Sequence, residues 1–422
     1  MVEYWLKLLQ LDLEMSFAES KDVMSIVEGV LLHALWPVVM GDTLLRSPGS
    51  DASVKPIHPD VDAERTVLPR YTYEQAMSLY GSDKPDTRFD SQIHRVESWI
   101  PSELKKMLTS LEDPIVEMMK IDMLGADPRT SGAFVSNFLD APSSATYVNN
   151  PAGMPGVAVY DPSRVLSGLA SFGHEGAAEV EKLLSPAVGD IIIVQTRPRA
   201  PFTGGSTPLG NMRRDIHQSA IAQGLTAAPT GYEALWVTDF PLFSPLTDAD
   251  PGQGGDAGIC STHHPFTAPK PHQDLSQLFT NPLEVIGDHF DLVINGVEVG
   301  GGSRRIHTAD MQELIFRDVL KMKPDRIEDF RHLLNALDAG CPPHAGFAFG
   351  WDRLMALLTG RSSVRDVIAF PKYTDGEDKF VGSPSPLTRD QLSTYHLQVL
   401  DDVRAEATLP QISATASAGH GA

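Results

Sequence analysis

The sequence is poor in cysteine and has no long uninterrupted apolar run. Its two cysteines, Cys260 and Cys341, allow one pairing at most, so a disulfide framework is excluded and a reducing compartment is expected. The longest apolar stretch, residues 26–40, is interrupted by Glu28 and Pro37 and is too short and broken to span a membrane. The chain starts without a basic leader or a small-residue cleavage site, so no signal peptide is expected.

Basic residues are scarce as well. Lys and Arg number 34 against 55 Asp and Glu, which gives a formal net charge of −21. Because a basic surface is the usual electrostatic sign of a nucleic-acid-binding protein, composition alone argues against RNA as a partner. The remaining composition, with 42% hydrophobic and 21% charged residues in a chain of 422, is that of a globular protein of two or three domains.

The common glycine motifs for nucleotide binding are missing too. The sequence contains no G-x-x-x-x-G-K-[ST] and no G-x-G-x-x-G after a predicted strand. An ATP site in this chain would therefore use neither a P-loop nor a Rossmann crevice.

Several local patterns predict secondary structure. Residues 9–17 alternate strictly between apolar and polar side chains, which predicts a strand whose polar face carries Gln10 and Asp12. A helix capped by Ser20 follows. Residues 41–69 read as a long loop, and a short helix over 73–80 ends at Gly81. From about 112 to 230 the chain becomes richer in Gly, Ala, Ser and Pro, which indicates an inserted domain.

The segment from Phe290 to Gly300 predicts a β-hairpin with Asn295-Gly296 in a type I′ turn. That turn pairs position 294 with 297, 293 with 298, and 292 with 299. Asp291 and Glu298 then become diagonal neighbours on one face, with backbones roughly 7–8 Å apart. Two such carboxylates can share a hard cation such as Mg²⁺. The alternative is a solvated sheet face that carries two scattered acids.

Glycines and arginines surround this hairpin in sequence. Residues 300–303 read GGGS, which permits a close approach to the backbone, and Arg304 and Arg305 follow at once. Downstream, residues 346–350 predict a strand that runs into a helix beginning Trp-Asp-Arg, with Arg353 near a helix N-terminus that favours anions. The alternative is an ordinary surface arginine at a strand–helix junction.

These motifs closely resemble those of the bacterial-type aspartyl-tRNA synthetases, a family of class II aminoacyl-tRNA synthetases. The resemblance covers about Leu9 to Leu400, nearly the whole chain. The matching segments are Gln10 to Phe17, similar to the second strand of motif 2, Tyr80 to Arg88 (YGSDKPDTR), His263 to Lys270 (HHPFTAPK), Phe290 to His307 (FDLVINGVEVGGGSRRIH), Gly340 to Arg353 (GCPPHAGFAFGWDR, motif 3) and Arg365 to Lys372 (RDVIAFPK).

The resemblance implies an α+β fold, with a class II antiparallel sheet flanked by helices and an inserted α+β domain. The domains it implies are a first part of the catalytic domain over 1–111, the inserted bacterial-type domain over 112–230, a second catalytic part with motif 3 over 231–404, and a disordered tail over 405–422. It also implies the reaction: ATP activates L-aspartate to aspartyl-adenylate, and the aspartyl group passes to tRNA(Asp).

Residue roles follow from the same resemblance. Asp291 and Glu298 are expected to hold Mg²⁺, and Arg305, Arg353 and Glu298 to be the catalytic residues. The residues expected to bind ATP are Glu298, Gly350, Trp351, Asp352 and Arg353. Those expected to bind aspartate are Gln10, Asp12, His263 and Arg305. For Gln10 and Asp12 the alternative is a solvent-exposed face of the sheet with no ligand. For His263 the alternative is an ordinary loop histidine.

The sequence also departs from the family. The N-terminal OB-fold, motif 1 and the first strand of motif 2 with its ATP-binding arginine are not found, and residues 1–8 do not match what should precede Gln10. We therefore expect an N-terminally truncated chain with little aspartate-dependent ATP–pyrophosphate exchange and a homodimer that is in doubt. Smaller departures are Arg304, Ala345 and Trp351.

Three functions are compatible with this pattern: an aspartate–tRNA ligase, a non-catalytic paralogue that serves as a binding module, and an ATP-dependent enzyme that acts on aspartate without tRNA. The expected location is the mitochondrial matrix, or the cytoplasm if the source is bacterial.

Overall fold

The computed structural model describes residues 9–35, 68–247, 255–373, 376–378 and 380–399. It divides into two compact units, one formed by residues 8–364 and the other by residues 1–7 and 365–422. Each unit is described by itself. The predicted tail over 405–422 and most of the predicted loop over 41–69 lie outside the described residues.

Twelve strands occur in the described residues. They are β1 Gln10–Ser16, β2 Arg70–Thr72, β3 His94–Arg95, β4 Ile115–Ile121, β5 Gly156–Val159, β6 Ile191–Arg197, β7 Ala234–Thr238, β8 Phe243–Pro245, β9 Ile259–Ser261, β10 His289–Ile294, β11 Val297–Arg304 and β12 His344–Gly350.

Helices flank these strands. In residues 8–364 the α-helices are Ser20–Gly29, Tyr73–Tyr80, Ser102–Leu108, Pro128–Asp140, Ala145–Val148, Gly173–Leu184, Pro208–Ala222, Gln277–Thr280, Ala309–Leu314, Pro324–Glu328, Arg331–Asp338 and Trp351–Leu358. The other unit contains the helix Arg389–Thr394. Among the described residues no helix has both the length and the apolar character needed to cross a membrane.

The main sheet has six strands in the order β1-β12-β11-β10-β7-β2. All neighbouring pairs are antiparallel except β2 and β7, which run parallel, so the predicted antiparallel sheet has one parallel pair at its edge. The predicted α+β fold, with a largely antiparallel sheet and flanking helices, is confirmed. Strand β1 pairs with β12 from Gln10 opposite Gly350 to Ser16 opposite His344, which brings two segments far apart in sequence side by side.

The core of this sheet is aromatic. Trp236 contacts both Phe290 and Phe347 edge-on, at ring-centroid distances of 5.8 and 5.7 Å. The indole Nε1–H donates to the buried carboxylate of Glu28 over 2.8 Å, which satisfies a polar atom that burial would otherwise leave unpaired. Val23, from the same helix as Glu28, is fully buried in this cluster. One face of the sheet is therefore closed by packing. On the opposite face, Leu235, Val237 and Val293 pack on the helix Tyr73–Tyr80.

The helix after β1 begins differently from the sequence prediction. Ser20 is the first helical residue and does not cap the helix, because Glu19 occupies the cap position. The backbone N–H of Glu19 donates to the Asp22 carboxylate over 2.8 Å, while the Ser20 hydroxyl donates to Asp288 over 2.8 Å. A serine at the start of a helix can hydrogen-bond to the helix backbone as a cap or to a residue elsewhere in the fold. Here the Ser20 hydroxyl bonds to Asp288 instead of capping the helix.

A second sheet lies in the region predicted to be inserted. Its order is β3-β4-β6-β5, and β4 and β6 are almost entirely buried. The sheet takes in His94–Arg95, ahead of residue 112, so the domain boundary at 112 stays a prediction. The predicted helix Tyr73–Tyr80 and its end at Gly81 are confirmed, with Gly81 at φ 65°. A Cβ there would lie 2.5 Å from the Cα of Gly210, so only glycine fits.

Candidate functional site

A cavity of about 450 Å³ opens on the polar face of the main sheet. Eight predicted site residues line it: Gln10, His263, Asp291, Glu298, Arg305, Gly350, Asp352 and Arg353. Asp12 and Trp351 are not among the lining residues. Asp12 is exposed on β1 opposite Ala348, which does line the cavity, and Trp351 donates its backbone N–H to the Leu9 carbonyl over 3.0 Å.

The hairpin of β10 and β11 forms one wall of this cavity. Asn295 and Gly296 have φ values of 52° and 77°, which confirms the type I′ turn. The pairs Ile294–Val297 and Val293–Glu298 are confirmed, but the predicted pair of Leu292 with Val299 is wrong.

Leu292 lies opposite Gly300 because the register shifts by one residue between Leu292 and Val293. This bulge buries Val299 in the core and sets Asp291 opposite Gly301. A Cβ at position 301 would lie 2.6 Å from Oδ1 of Asp291, so the glycine leaves room for this carboxylate in its present position.

Asp291 is the most deeply buried carboxylate of the site, with 1% of its surface exposed. Its Oδ1 lies 2.8 Å from Nε2 of His289, whereas its Oδ2 has no hydrogen-bond partner among the described residues. Nζ of Lys84 lies 3.8 Å from Oδ2, and Nε2 of His263 lies 3.9 Å from it. Burial raises the pKa of Asp291 despite these neighbours.

A buried carboxylate oxygen without a partner costs free energy unless a ligand completes its shell. The second acid of the hairpin, Glu298, has its Oε2 3.6 Å from Nη1 of Arg353 and 3.4 Å from Nζ of Lys84. Both acids line the same cavity, and hard divalent cations prefer carboxylate oxygens. The chemistry of both acids suits Mg²⁺, and their role as its ligands stays a prediction.

Lys84 is a site residue that the analysis of the sequence did not single out. Its ammonium lies 2.6 Å from Oδ2 of Asp83 in addition to its approach to Asp291 and Glu298. The recognised segment YGSDKPDTR contains it, but nothing in the local pattern of that segment indicates a contact more than 200 residues away.

Two further missed residues are His264 and His289. The rings of His263 and His289 stack at 3.5 Å between centroids and 18° between planes. Burial, followed by the charge of the other histidine, lowers the pKa of His263 to about 3, and burial likewise lowers the pKa of His289 to about 3. Burial and then the charge of Arg305 lower the pKa of His264 to about 4. All three imidazoles are therefore neutral at pH 7.

The guanidinium of Arg305 has partners on both sides. Nη1 donates to Nε2 of His264 and to Oγ of Ser303, each over 2.7 Å. Nε and Nη2 face the two carboxylate oxygens of Glu14 at 3.3 and 3.4 Å. The fork of Arg305 thus already presents a two-point contact to a carboxylate at the edge of the cavity, the geometry that suits bidentate recognition.

The neighbouring Arg304 points elsewhere. Its Nε donates to Asp288 over 2.8 Å and its Nη2 donates to the Pro269 carbonyl. The charge of Arg304 is therefore neutralised by Asp288, outside the cavity lining.

The junction between β12 and the helix Trp351–Leu358 forms the other wall of the cavity. Arg353 lies in the first turn of the helix Trp351–Leu358, while the buried Asp352 accepts the backbone N–H of Leu9 over 2.8 Å. Asp352 thereby fastens the start of β1 to the start of this helix. Its predicted role in ATP binding stays a prediction, as do the individual roles of the other site residues.

Comparisons with known sequences identify the family of this chain. The family described as tRNA synthetases class II (D, K and N) matches residues 4–374. The chain belongs to this family. The adjacent strands β1, β12, β11 and β10 of the main sheet account for how motifs far apart in this sequence meet on one face.

Similar proteins include two fungal ones named aspartate–tRNA ligase, mitochondrial. The one from Saccharomyces cerevisiae is 37% identical over 408 residues, with 92% of this chain and 59% of the relative covered. The one from Schizosaccharomyces pombe is 33% identical over 401 residues, with 92% and 58% covered. A bacterial protein from Opitutus terrae, named aspartate–tRNA(Asp/Asn) ligase, is 34% identical over 393 residues, with 93% and 60% covered. The class II chain spans about three fifths of the length of these relatives.

Proposed function

We propose that this class II chain is an aspartate–tRNA ligase, which activates L-aspartate with ATP and transfers the aspartyl group to tRNA(Asp). One observation carries the choice of aspartate: the fork of Arg305 faces the carboxylate of Glu14 at 3.3 and 3.4 Å at the edge of the cavity. A guanidinium fork suits a side-chain carboxylate, whereas it would repel a lysine side chain and would lose a charge-assisted bond to asparagine.

The residues divide between the two substrates. For aspartate, Arg305 binds the side-chain carboxylate, Gln10 and Asp12 face the ammonium group, and His263 contacts the substrate as a neutral donor or acceptor. For ATP, Arg353 and Glu298 act with Gly350, Trp351 and Asp352 at the junction. Holding both substrates in line and stabilising developing negative charge are the main sources of rate in such a site.

The cation fits the carboxylate pair. Asp291 and Glu298 would hold Mg²⁺, and the buried Oδ2 of Asp291, which has no hydrogen-bond partner among the described residues, supports this assignment. When bound, Mg²⁺ neutralises charge on the phosphate oxygens of ATP. His289 keeps the Asp291 carboxylate oriented through its contact with Oδ1 at 2.8 Å.

The proposal extends to location and assembly. The mitochondrial names of several relatives support the mitochondrial matrix as the location. A homodimer and tRNA(Asp) as partner follow from the same family membership.

Two measurements test this function with the purified chain. Calorimetry with non-hydrolysable aspartyl-, asparaginyl- and lysyl-adenylate analogues should give tightest binding for the aspartyl compound, because only it presents a carboxylate to Arg305. ATP–pyrophosphate exchange with each amino acid then tests turnover. Equal binding of the three analogues would overturn the choice of aspartate. Preferential binding of the aspartyl compound with little exchange would agree with the choice of aspartate and with the low exchange expected from the sequence.

A further inference from the structure

Lys84 lies among three carboxylates. Its Nζ is 2.6 Å from Oδ2 of Asp83, 3.4 Å from Oε2 of Glu298 and 3.8 Å from Oδ2 of Asp291. Two of these oxygens belong to the pair that fits the divalent cation. The ammonium group therefore lies where it neutralises the same charges that a metal ion would neutralise.

The charges around Lys84 are poorly hydrated. Asp83 and Asp291 are 7% and 1% exposed, and the side chain of Lys84 is 28% exposed. Without the ammonium group the three acids would repel one another in a partly dry site, where charge interactions are stronger than in water.

We propose that Lys84 is a built-in counterion of the metal site, and that its ammonium exchanges places with the divalent cation when the metal binds. The inference rests on the proposed role of Asp291 and Glu298 as metal ligands. On metal binding, the ammonium group of Lys84 loses its contacts with Asp291 and Glu298 and keeps its contact with Asp83.

The surroundings of Lys84 permit this movement. A second cavity of about 520 Å³ adjoins the first, with His263 and Glu298 common to both. Asp83 and Lys84 line this second cavity. A lysine has a flexible four-carbon stem, so its ammonium can turn into that space while Asp83 continues to hold it.

The exchange makes two variants change metal affinity in opposite directions. Lys84→Met removes the competing cation, so Mn²⁺ should bind about tenfold more tightly in the absence of nucleotide. Asp83→Asn removes the anchor that draws Lys84 away, so Mn²⁺ should bind more weakly than in the unchanged protein. Lys84→Arg keeps the charge and should stay close to the unchanged protein.

Electron paramagnetic resonance of free Mn²⁺ measures these affinities without ATP, aspartate or turnover. Lys120→Met is the matched control, because Lys120 also lies between two acids, Asp122 at 2.6 Å and Asp190 at 3.6 Å, but outside the cavity lining. It should leave Mn²⁺ binding unchanged. Unchanged or weaker Mn²⁺ binding by Lys84→Met overturns the proposal. If Lys84→Met fails to fold, Asp83→Asn decides: unchanged or tighter Mn²⁺ binding by that variant overturns the proposal.

This result is independent of the aspartate–tRNA ligase assignment. If the adenylate analogues bind without preference while Lys84→Met still tightens Mn²⁺ binding, the proposed function fails and the counterion role stands. If the analogues bind as expected and metal affinity is unaffected, the counterion role fails alone.

Discussion

Nε2 of His289 lies 2.8 Å from Oδ1 of Asp291, and both side chains are buried under the cavity. When Asp291 is ionised its carboxylate only accepts hydrogen bonds, so the neutral imidazole of His289 then carries its proton on Nε2 and donates it. This contact fixes one oxygen of Asp291 and turns the other, Oδ2, toward Lys84 and the cavity. The position of the proposed metal ligand therefore depends on His289 as well as on the hairpin.

Gly301→Ala tests that arrangement. The new Cβ would lie 2.6 Å from Oδ1 of Asp291, so the carboxylate must leave its hydrogen bond to His289. We expect Mn²⁺ affinity to fall about tenfold or more and the free energy of unfolding to fall by about 1–3 kcal/mol. Isothermal calorimetry and urea denaturation measure the two effects.

The control for this change is Gly132→Ala. Gly132 lies within the helix Pro128–Asp140, and a Cβ there meets nothing within 4 Å. Its stability should stay the same or rise by about 0.5–1 kcal/mol, because alanine loses less backbone entropy than glycine in a helix. Unaltered Mn²⁺ binding by Gly301→Ala would show that the Asp291 carboxylate does not need its present position.

Arg305→Lys tests carboxylate recognition. A lysine keeps the charge but loses the fork that faces Glu14 at two points, so L-aspartate should bind about tenfold or more weakly in calorimetry. Arg304→Lys is the matched control, since Arg304 is bound by Asp288 outside the cavity lining. Equal losses in both variants would mean that aspartate is not held by the fork of Arg305.

A pH effect is expected from His217, which lies 2.8 Å from Oγ of Ser91 and stacks on Phe89. Burial, then the charge of Arg213, lowers the pKa of His217 to about 4. The pKa of His217 in the unfolded chain is about 6.5. As the pH falls below this value, the unfolded chain binds a proton at His217 and the folded protein does not, so His217 lowers the free energy of unfolding.

His217→Gln removes that proton uptake. The destabilisation of the variant relative to the unchanged protein should therefore shrink between pH 7.5 and pH 5, by about 2 kcal/mol in the free energy of unfolding. Urea denaturation at both pH values measures the difference. A destabilisation that stays constant or grows toward pH 5 would contradict a neutral, buried His217.

Much of the site was predictable because its signals are local. The alternation of residues 9–17 predicts β1, and the Asn295-Gly296 turn predicts the β10–β11 hairpin, since both depend on side-chain period and backbone preference within a few residues. The same analysis missed the bulge at Val299. A one-residue shift in pairing depends on how Val299 packs in the core. That core is formed by residues of several strands, which the local sequence does not show.

The sequence by itself determined the class II family, the hairpin with Asp291 and Glu298, and the junction with Arg353, because these are contiguous patterns. Only the tertiary structure decided that Lys84 lies against the two acids and that Glu14 faces Arg305, 291 residues away in the chain. Such contacts arise from the packing of segments that no local pattern brings together. The charges that surround a site residue therefore come mainly from elsewhere in the sequence.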